Sequence, residues 1–573
     1  MKSNLFVAAA VAAAGLASAL PGAVFATDRV GDFSLLDQDG YHHSMSWYDD
    51  HQSIALLVQA NDSAATDAAV ADFAQLKAGY EDAGIEFFMI NPMGRGNRSA
   101  VQTKLAEYGV DIPVLMDDAR VISEELGIER TGEVVLFSPS SFEVEYRGSL
   151  AGAQAAIDEI LAGAAVSVAM TETNGSMVSY EQMASVPSYS QDIAPILAEN
   201  CASCHREGGI APFAMDSHTM VKGWSPMIRE VLMTKRMPPG QIDGHIGEFI
   251  NDRLITEEEV RNVIAWADAG APRDGDHDPL TELTWSTSKW SLGDKPDYII
   301  KVPAQPVPAT GVLEYRDVAV KIDLGGKDRW LRGSEYIPGD RTVLHHTINS
   351  LNFPEEVGKR LSALGGNNPD KASITAYIPG GTAKFAPPNT GGLLKDGSVL
   401  NLNLHYTTNG RETVDESEIG LWFYPEGEIP EERMSGRCAC IFPNTWTNIP
   451  ANDPAFEQTA TITIGKDANI HSFLPHMHFR GKYMRFYADY PDGTNEELIN
   501  IAQYNYAWQM SYTYAEPKFV PAGTKITAVG AFDNSAQNHA NPDPERTVPW
   551  GQQSWDEMFF GAVQWKYTDQ GGN

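Results

Sequence analysis

Five contiguous residues, Cys201-Ala202-Ser203-Cys204-His205, have the spacing of a covalent haem attachment site. In a CxxCH motif two thiols bond to the haem and the adjoining histidine binds the iron, so the residues must be contiguous. A thioredoxin-type redox pair or half of a zinc site is the alternative. However, the motif opens no βαβ unit, and no second CxxC exists to complete four zinc ligands. We therefore predict a c-type haem held by Cys201, Cys204 and His205.

The sixth ligand of this iron is predicted downstream of the motif. Met237 stands in a Pro-rich turn, Arg236-Met237-Pro238-Pro239-Gly240, that can hold a thioether against iron. Met/His ligation is the common cytochrome c pattern, although a methionine can equally be a core residue. His245 is the competing ligand. The segment resembles class I cytochrome c domains.

Six of the fourteen histidines lie in three groups late in the chain: His345-His346, His405, and His471 with His476-Met477-His478. Neutral imidazoles at short spacing on strands are typical metal ligands. Strand alternation in 400–406 points the leucines one way and His405 the other, and it places His476 and His478 together on one face. His345 and His346 diverge on an ideal strand, so both reach one ion only at a strand end or a β-bulge.

Together with Asp556-Glu557-Met558, these groups resemble in order the ligand motifs of the copper type II ascorbate-dependent monooxygenases, which include the peptidylglycine and dopamine enzymes. The resemblance implies two β-sandwich domains, each with one copper ion, that face each other across a solvent-filled cleft. It assigns His345, His346 and His405 to an electron-storing copper. It assigns His476, His478 and Met558 to the copper that binds O2 and substrate. A thioether ligand suits the second site because it stabilises Cu(I). His471 and His539 are left without a metal role.

The resemblance also implies a reaction, the hydroxylation of a C–H bond with O2. The fused haem motif suggests that an external donor supplies the electrons through the haem. A non-catalytic protein that transfers electrons or handles copper is the alternative. The substrate is a small molecule or a peptide. Arg480, Tyr406 and Arg411 are candidates for holding a substrate carboxylate, with no geometry to choose between them.

From about residue 30 to 150, apolar strands at 54–58, 85–90 and 134–137 alternate with helical stretches such as 68–83, which predicts a parallel or mixed α/β layer. It resembles the thioredoxin-like fold of the peroxiredoxin and redoxin families in Gly31-Asp32-Phe33, in Asp37-Gln38-Asp39-Gly40 and in Ile112-Pro113-Val114. Residues 61–66 hold no cysteine where those families carry their reactive thiol, and Gly132 stands where they have a cis-proline. Without a thiolate the domain is degenerate and is expected to dock or support other parts.

The predicted fold class is therefore multidomain: an α/β thioredoxin-like domain, a small all-α cytochrome c domain and two all-β sandwich domains. A capping box at Thr256 and Glu259 marks one helix of the second domain. The predicted boundaries are a signal peptide at 1–26, the thioredoxin-like domain at 27–165, a linker at 166–187, the cytochrome c domain at 188–280, a linker at 281–296, and the two sandwiches at 297–427 and 428–573.

The signal peptide, with Lys2 before an apolar run and Ala26 at the cleavage site, predicts a periplasmic or secreted protein without a membrane span. The formal charge of −34 repels phosphate backbones and argues against nucleic-acid partners. Cys438 and Cys440 form a CxC pair, for which a disulfide, a reduced pair and a transient copper(I) site all remain open.

Overall fold

The computed structural model describes residues 29–180, 185–286, 288–293, 295–357, 368–381, 383 and 385–569. The predicted signal peptide lies outside these ranges. Within them the chain is multidomain, with one α/β domain, a group of short helices and several β-sheets. The prediction of a multidomain chain with a thioredoxin-like α/β domain is confirmed. No helix in the described ranges is long and apolar enough to cross a bilayer.

The N-terminal domain is a seven-stranded mixed sheet in the order β2-β1-β5-β4-β3-β6-β7. Parallel β3 and β4 are joined by α1, and the antiparallel hairpin β6-β7 leads into α4, which is the thioredoxin-like arrangement. The first helix begins at Ala64, four residues before the expected start, because the Ser63 side chain caps it by accepting from the Thr66 N–H. The elements are β1 (Ser34–Asp37), β2 (His42–Ser44), β3 (Ser53–Val58), α1 (Ala64–Tyr80), β4 (Ile85–Asn91), α2 (Arg98–Tyr108), β5 (Val114–Met116), α3 (Val121–Glu125), β6 (Val134–Phe137), β7 (Val144–Gly148) and α4 (Leu150–Leu161).

The segment after α4, expected to be part of a linker, packs instead along this domain. Met170 and Met177 form isolated β-bridges with Arg147 and Arg130. Gly175 is pressed against Thr131, where an added Cβ would lie 1.7 Å from the backbone oxygen. The Thr131 hydroxyl also accepts from Ser63 Oγ, at 2.7 Å. The hydroxyl groups of Ser63 and Thr131 therefore lie where thioredoxin-like families carry the reactive thiol, and the segment after α4 covers them.

The helical region contains α5 (Ala194–Asn200), α6 (His218–Met233) and α7 (Glu257–Asp268) around the buried Trp266. The capping box of α7 forms as the sequence indicates: Thr256 accepts from the Glu259 N–H, and the Glu259 carboxylate accepts from the Thr256 N–H. The helix stops before Gly270, whose φ of +82° favours glycine.

The last two domains are each built from two antiparallel sheets packed face to face. In the first sandwich the sheets run β10-β14-β12 and β13-β11-β16-β8, with the separate pair β15-β9. Its strands are β8 (Tyr298–Lys301), β9 (Gln305–Val307), β10 (Arg316–Lys321), β11 (Arg329–Ile337), β12 (Leu344–Asn352), β13 (Gly392–Leu394), β14 (Val399–Tyr406), β15 (Thr413–Asp415) and β16 (Glu418–Phe423).

In the second sandwich the sheets run β17-β24-β19-β22 and β18-β23-β20-β21. Side chains that alternate inward along these strands form one large apolar core. The strands are β17 (Ser435–Ile441), β18 (Phe456–Thr463), β19 (Ala468–His476), β20 (Gly481–Asp489), β21 (Asn495–Ile501), β22 (Tyr512–Val520), β23 (Lys525–Phe532) and β24 (Phe559–Tyr567).

The loop between α6 and α7 joins three domains. The Asp243 carboxylate, fully buried, pairs with Arg98 of the thioredoxin-like domain at 2.5 Å, and the Asp243 N–H donates to the Asn500 carbonyl in the second sandwich. Further along the loop, Phe249 stacks on Tyr514 with ring centroids 4.6 Å apart. The thioredoxin-like domain and the helical region are therefore docked on the second sandwich.

Candidate metal and haem sites

The first histidine group lies on the adjacent strands β12 and β14. His346 is directly opposite His405, and the pairing register shifts between Leu344 and His346, so the bulge that the sequence argument requires is present. The Nδ1 atoms of His345 and His346 lie 2.7 Å apart. The rings of His346 and His405 have centroids 4.0 Å apart. These three side chains are therefore brought together.

His405 stands off the leucine core, as alternation predicts, but it is not exposed. Leu402 and Leu404 point into the sandwich, whereas the His405 ring lies flat against Tyr315, with centroids 3.4 Å apart. Its Nε2 donates to Asn403 Oδ1. The other nitrogen, Nδ1, is buried and has no hydrogen-bond partner among the described residues.

The second histidine group lies at the end of β19. Phe473 and Met477 point into the core of the sandwich, so His476 and His478 share its outer face. His476 Nδ1 donates to Gln509 Oε1 at 2.6 Å, and His478 Nδ1 donates to the Asp556 carbonyl at 3.2 Å. Both Nε2 atoms are buried without a partner in the part of the chain that the structure describes. Holding one ring nitrogen and leaving the other free is how proteins orient metal-binding histidines.

Met558 belongs to the same face. The register of β19 with β24 pairs His476 with Phe560, and its continuation sets Met558 opposite His478. Met558 is 5% exposed. The neighbouring Glu557 accepts from the backbone N–H groups of His478 and Arg480, at 2.8 and 2.7 Å, and burial raises its pKa to about 8.

The two groups lie closer together than the expected solvent-filled cleft allows. The rings of His346 and His476 have centroids 6.0 Å apart, so the cleft is not open at this point. The hydroxyls of Tyr315 and Tyr506 meet at Ser554 Oγ, and Tyr506 stacks on His345 at 4.5 Å. The imidazole rings can pack this closely because neutral rings do not repel one another as two positive charges would.

Burial keeps these imidazoles neutral. Desolvation lowers the pKa of His345 and of His476 to about 4 and that of His405 to about 3, and it holds the pKa of His346 and His478 well below the usual range. Within the described ranges, no three His, Cys, Asp or Glu side chains are placed to hold one metal ion. The buried nitrogen lone pairs and the thioether nevertheless fit a soft or borderline cation such as copper.

The haem motif follows α5 in a tight turn, where the His205 N–H donates to the Cys201 carbonyl at 3.0 Å. Neither Cys201 nor Cys204 is in a disulfide. His205 Nδ1 donates to the Phe213 carbonyl at 3.2 Å, which directs Nε2 outward. Phe213 lies between His205 and Trp224, and Trp224, Met220 and Met227 form an exposed apolar stripe on α6. An oriented imidazole beside an exposed apolar surface fits a haem.

The two candidate sixth ligands lie elsewhere. Met237 lines a cavity of about 130 Å³ between this region and the thioredoxin-like domain, which no residue of the CxxCH motif lines. In the same cavity, His245 directs Nδ1 to Asp243 at 3.0 Å and Nε2 to Asp118 at 3.3 Å. Carboxylates therefore face both nitrogens of His245, whereas the Met237 thioether stays the predicted sixth ligand.

The residues proposed for a substrate carboxylate are occupied or remote. Arg480 is fully buried and donates to Asn534 Oδ1 and to the Trp555 carbonyl. The Tyr406 hydroxyl donates to Asp415, and Arg411 is an exposed residue beside Asp340. Sequence reasoning also missed the groups that hold the histidines: Gln509, Tyr315, Tyr506, Ser554 and the positioning role of Glu557.

Several solved structures are similar to about a quarter of the chain. A hypothetical protein from Sinorhizobium meliloti 1021 is 18% identical over 28% of this chain and 98% of its own length, with a TM-score of 0.26. A putative thiol:disulfide interchange protein DsbE from Chlorobium tepidum is 15% identical over 25% and 98%, with a TM-score of 0.22. No protein-family model and no curated protein matches the sequence. The thioredoxin-like character of the domain therefore rests on its own strand order.

Proposed function

We propose that the chain is an exported copper-dependent monooxygenase that hydroxylates a C–H bond with O2, with electrons delivered through a c-type haem held by Cys201, Cys204 and His205. One observation carries the proposal. Five histidines from β12, β14 and the end of β19 meet between the two sandwiches, each with a buried ring nitrogen that has no partner among the described residues.

These unpaired buried nitrogens lower the stability of the metal-free protein. A buried polar atom without a hydrogen bond costs about 1–3 kcal/mol, so five in one place favour a bound ligand that satisfies them. His345, His346 and His405 would hold one copper ion, and His476, His478 and Met558 the other. When bound, copper supplies one-electron redox chemistry and the activation of O2.

The residues of this chain position and shelter that chemistry. Gln509 and the Asp556 carbonyl fix the His476 and His478 rings, so that both Nε2 atoms remain free. Tyr315 and Tyr506 cover His405 and His345 with ring faces and exclude water from them. The Ser554 hydroxyl is hydrogen-bonded to both tyrosines and lies in the loop that carries Met558. It therefore connects the first histidine group to the second.

The test compares two methionines on opposite faces of the same sandwich. Met558→Leu removes the thioether from the proposed site, whereas Met477→Leu changes a core thioether and keeps the volume, which typically costs under about 1.5 kcal/mol. We expect Met558→Leu to retain histidine-bound copper but to lose substrate-dependent O2 uptake at least tenfold, and Met477→Leu to keep both. Equal O2 uptake by the two variants would contradict the oxygenase proposal.

The electron route has its own test. Reduced haem in copper-loaded protein should reoxidise when O2 and a substrate mixture of peptides, amines and small organic molecules are added, which stopped-flow spectra report. The second candidate function is a periplasmic or secreted electron-transfer or copper-handling protein, favoured by the copper-compatible ligands alone. It predicts full copper and haem loading without O2 uptake from any reductant.

A further inference from the structure

The Cys438–Cys440 pair is a disulfide on strand β17, at the edge of its sheet. Ala439 and Ile441 point into the core of the second sandwich, so both cysteines point to the outer face. Both are partly buried, and they border a hollow of about 460 Å³ between β17 and β18. A disulfide that solvent reaches from an edge strand is open to attack by an external thiol.

The sheet register connects this disulfide to the second histidine group. Cys440 pairs with Phe560, and Phe560 pairs with His476, so the three side chains form one row on the outer face. Two strand spacings separate Cys440 from His476, which is about 10 Å. The Phe560 ring lies between them and stacks on His476, with centroids 5.7 Å apart. The next row of this face holds Cys438, Ala562 and Leu474.

We infer that Cys438 and Cys440 form a reversible dithiol site whose reduced form binds one Cu(I) ion beside the His476 and His478 pair. An external dithiol breaks the S–S bond, two Cys S–H groups form, and the dithiol is oxidised to its own disulfide. Cu(I) then replaces the thiol protons. Thiolate sulfur selects Cu(I) among the available metals, and the two sulfurs lie on residues whose Cα atoms are 5.1 Å apart.

This placement gives the site a role in loading. A Cu(I) ion held at the open edge of β17 lies in the same row as His476, two strand spacings or about 10 Å from this buried imidazole. Transfer of the ion to His476 and His478 rests on the proposed function, whereas its capture by the two thiolates does not.

The capture is tested by counting Cu(I) on the full-length haem protein. Protein is treated with a phosphine reductant under nitrogen, desalted, titrated for free thiols and then loaded with Cu(I) in competition with bicinchoninate. We expect reduction to add two free thiols per chain to those of the untreated, disulfide-bonded protein, and to add one Cu(I) per chain. Cys438→Ser/Cys440→Ser protein should show no such difference between treated and untreated samples.

A His476→Ala/His478→Ala variant separates this proposal from the proposed function. It should lose the copper ion assigned to His476 and His478 yet keep the additional Cu(I) after reduction. The proposal is overturned if reduction frees no thiols, if freed thiols bring no additional Cu(I), or if the additional ion persists in the double serine variant. Because the disulfide-bonded wild type is itself a reference, the result does not depend on either variant folding well.

Discussion

At the scale of single residues, the candidate copper ligands depend on neighbours that hold one nitrogen of each ring. His476 is the clearest case, because its Nδ1 donates to Gln509 Oε1 and its ring stacks on Phe560. Neither contact involves the nitrogen that is left free. The affinity of such a site therefore depends on residues that do not touch the metal.

Replacing Gln509 by leucine should weaken copper binding. The change removes the acceptor for His476 Nδ1, so the imidazole loses its fixed orientation, and loss of such a partner typically lowers metal affinity by about 10–100-fold. Competition with a copper chelator measures the change. Gln509→Glu keeps an acceptor and should retain most of the affinity. If both variants bind copper as the wild type does, Gln509 has no orienting role.

His42 predicts a pH dependence in the thioredoxin-like domain. Burial, with the nearby positive groups of His43, Lys235 and Lys482, lowers its pKa to about 3, and neither ring nitrogen has a hydrogen-bond partner in the described structure. Below the ordinary histidine pKa the unfolded chain takes up a proton that the folded chain excludes. The contribution of His42 to the free energy of unfolding is therefore fully present above about pH 6.5, and it is lost by about 1.4 kcal/mol per pH unit below that.

A His42→Phe variant isolates this contribution, since phenylalanine can keep the contact with Trp47. Urea unfolding at pH 7, 6 and 5 should show a smaller loss of stability for the variant than for the wild type. His51→Phe is the control, because His51 is partly exposed and lies near Asp50 and Glu86. Parallel pH curves for wild type and His42→Phe would show that His42 does not carry the effect.

At the scale of elements, local sequence rules were sufficient where the structure is local. The period-2 pattern of 400–406 fixed which face of β14 carries His405, and the Thr256 and Glu259 pair fixed the start of α7. The Tyr315 contact with Ser554 was out of reach, because it joins residues 239 positions apart in different sandwiches. The packing of the segment after α4 was also out of reach, since its small polar residues contact Thr131 through backbone groups that no periodicity reveals.

The capping box of α7 gives a prediction for one element. Thr256→Ala removes the acceptor for the Glu259 N–H and should destabilise the start of the helix by about 1 kcal/mol. Hydrogen exchange of the first-turn amides of α7 should accelerate about fivefold, while amides of α6 remain unchanged. Thr256→Ser keeps the hydroxyl and should exchange nearly as the wild type does. Faster exchange spread equally over both helices would argue against a local capping effect.

At the scale of the whole molecule, one loop joins the helical region that carries the CxxCH motif to the second sandwich and to the thioredoxin-like domain. The loop from Gly240 to Asn251 packs on the second sandwich through Tyr512, Tyr514 and Asn500, and on the thioredoxin-like domain through Arg98. Arg485 of the second sandwich also covers Tyr41 of the thioredoxin-like domain. The thioredoxin-like domain therefore contacts both the loop between α6 and α7 and the second sandwich.

The docking of these domains depends most on the buried carboxylate of Asp243. Burial acts to raise the pKa of its carboxyl group, but hydrogen bonds from His245 and the charge of Arg98 outweigh it and hold the pKa below its usual range. The group therefore stabilises the docked state at all pH values above the ordinary carboxyl range, and this contribution is lost only as the solution becomes strongly acidic. Asp243→Ala leaves the Arg98 guanidinium without its partner, and breaking a buried pair costs about 3–5 kcal/mol.

We expect the cost of Asp243→Ala to appear as undocking of the thioredoxin-like domain rather than as unfolding of the sandwiches. Limited proteolysis should cut the variant in the Gly240 to Asn251 loop at least tenfold faster, and small-angle scattering should show a larger radius of gyration. Arg98→Met/Asp243→Leu removes both charges, leaves no unpaired ion and should dock better than the single variant. If the single variant stays compact while haem-to-copper electron transfer slows, the carboxylate acts on the electron path and not on the support. If compactness and electron transfer between the proposed haem and copper sites fall together, docking of the thioredoxin-like domain is what keeps these proposed sites in range.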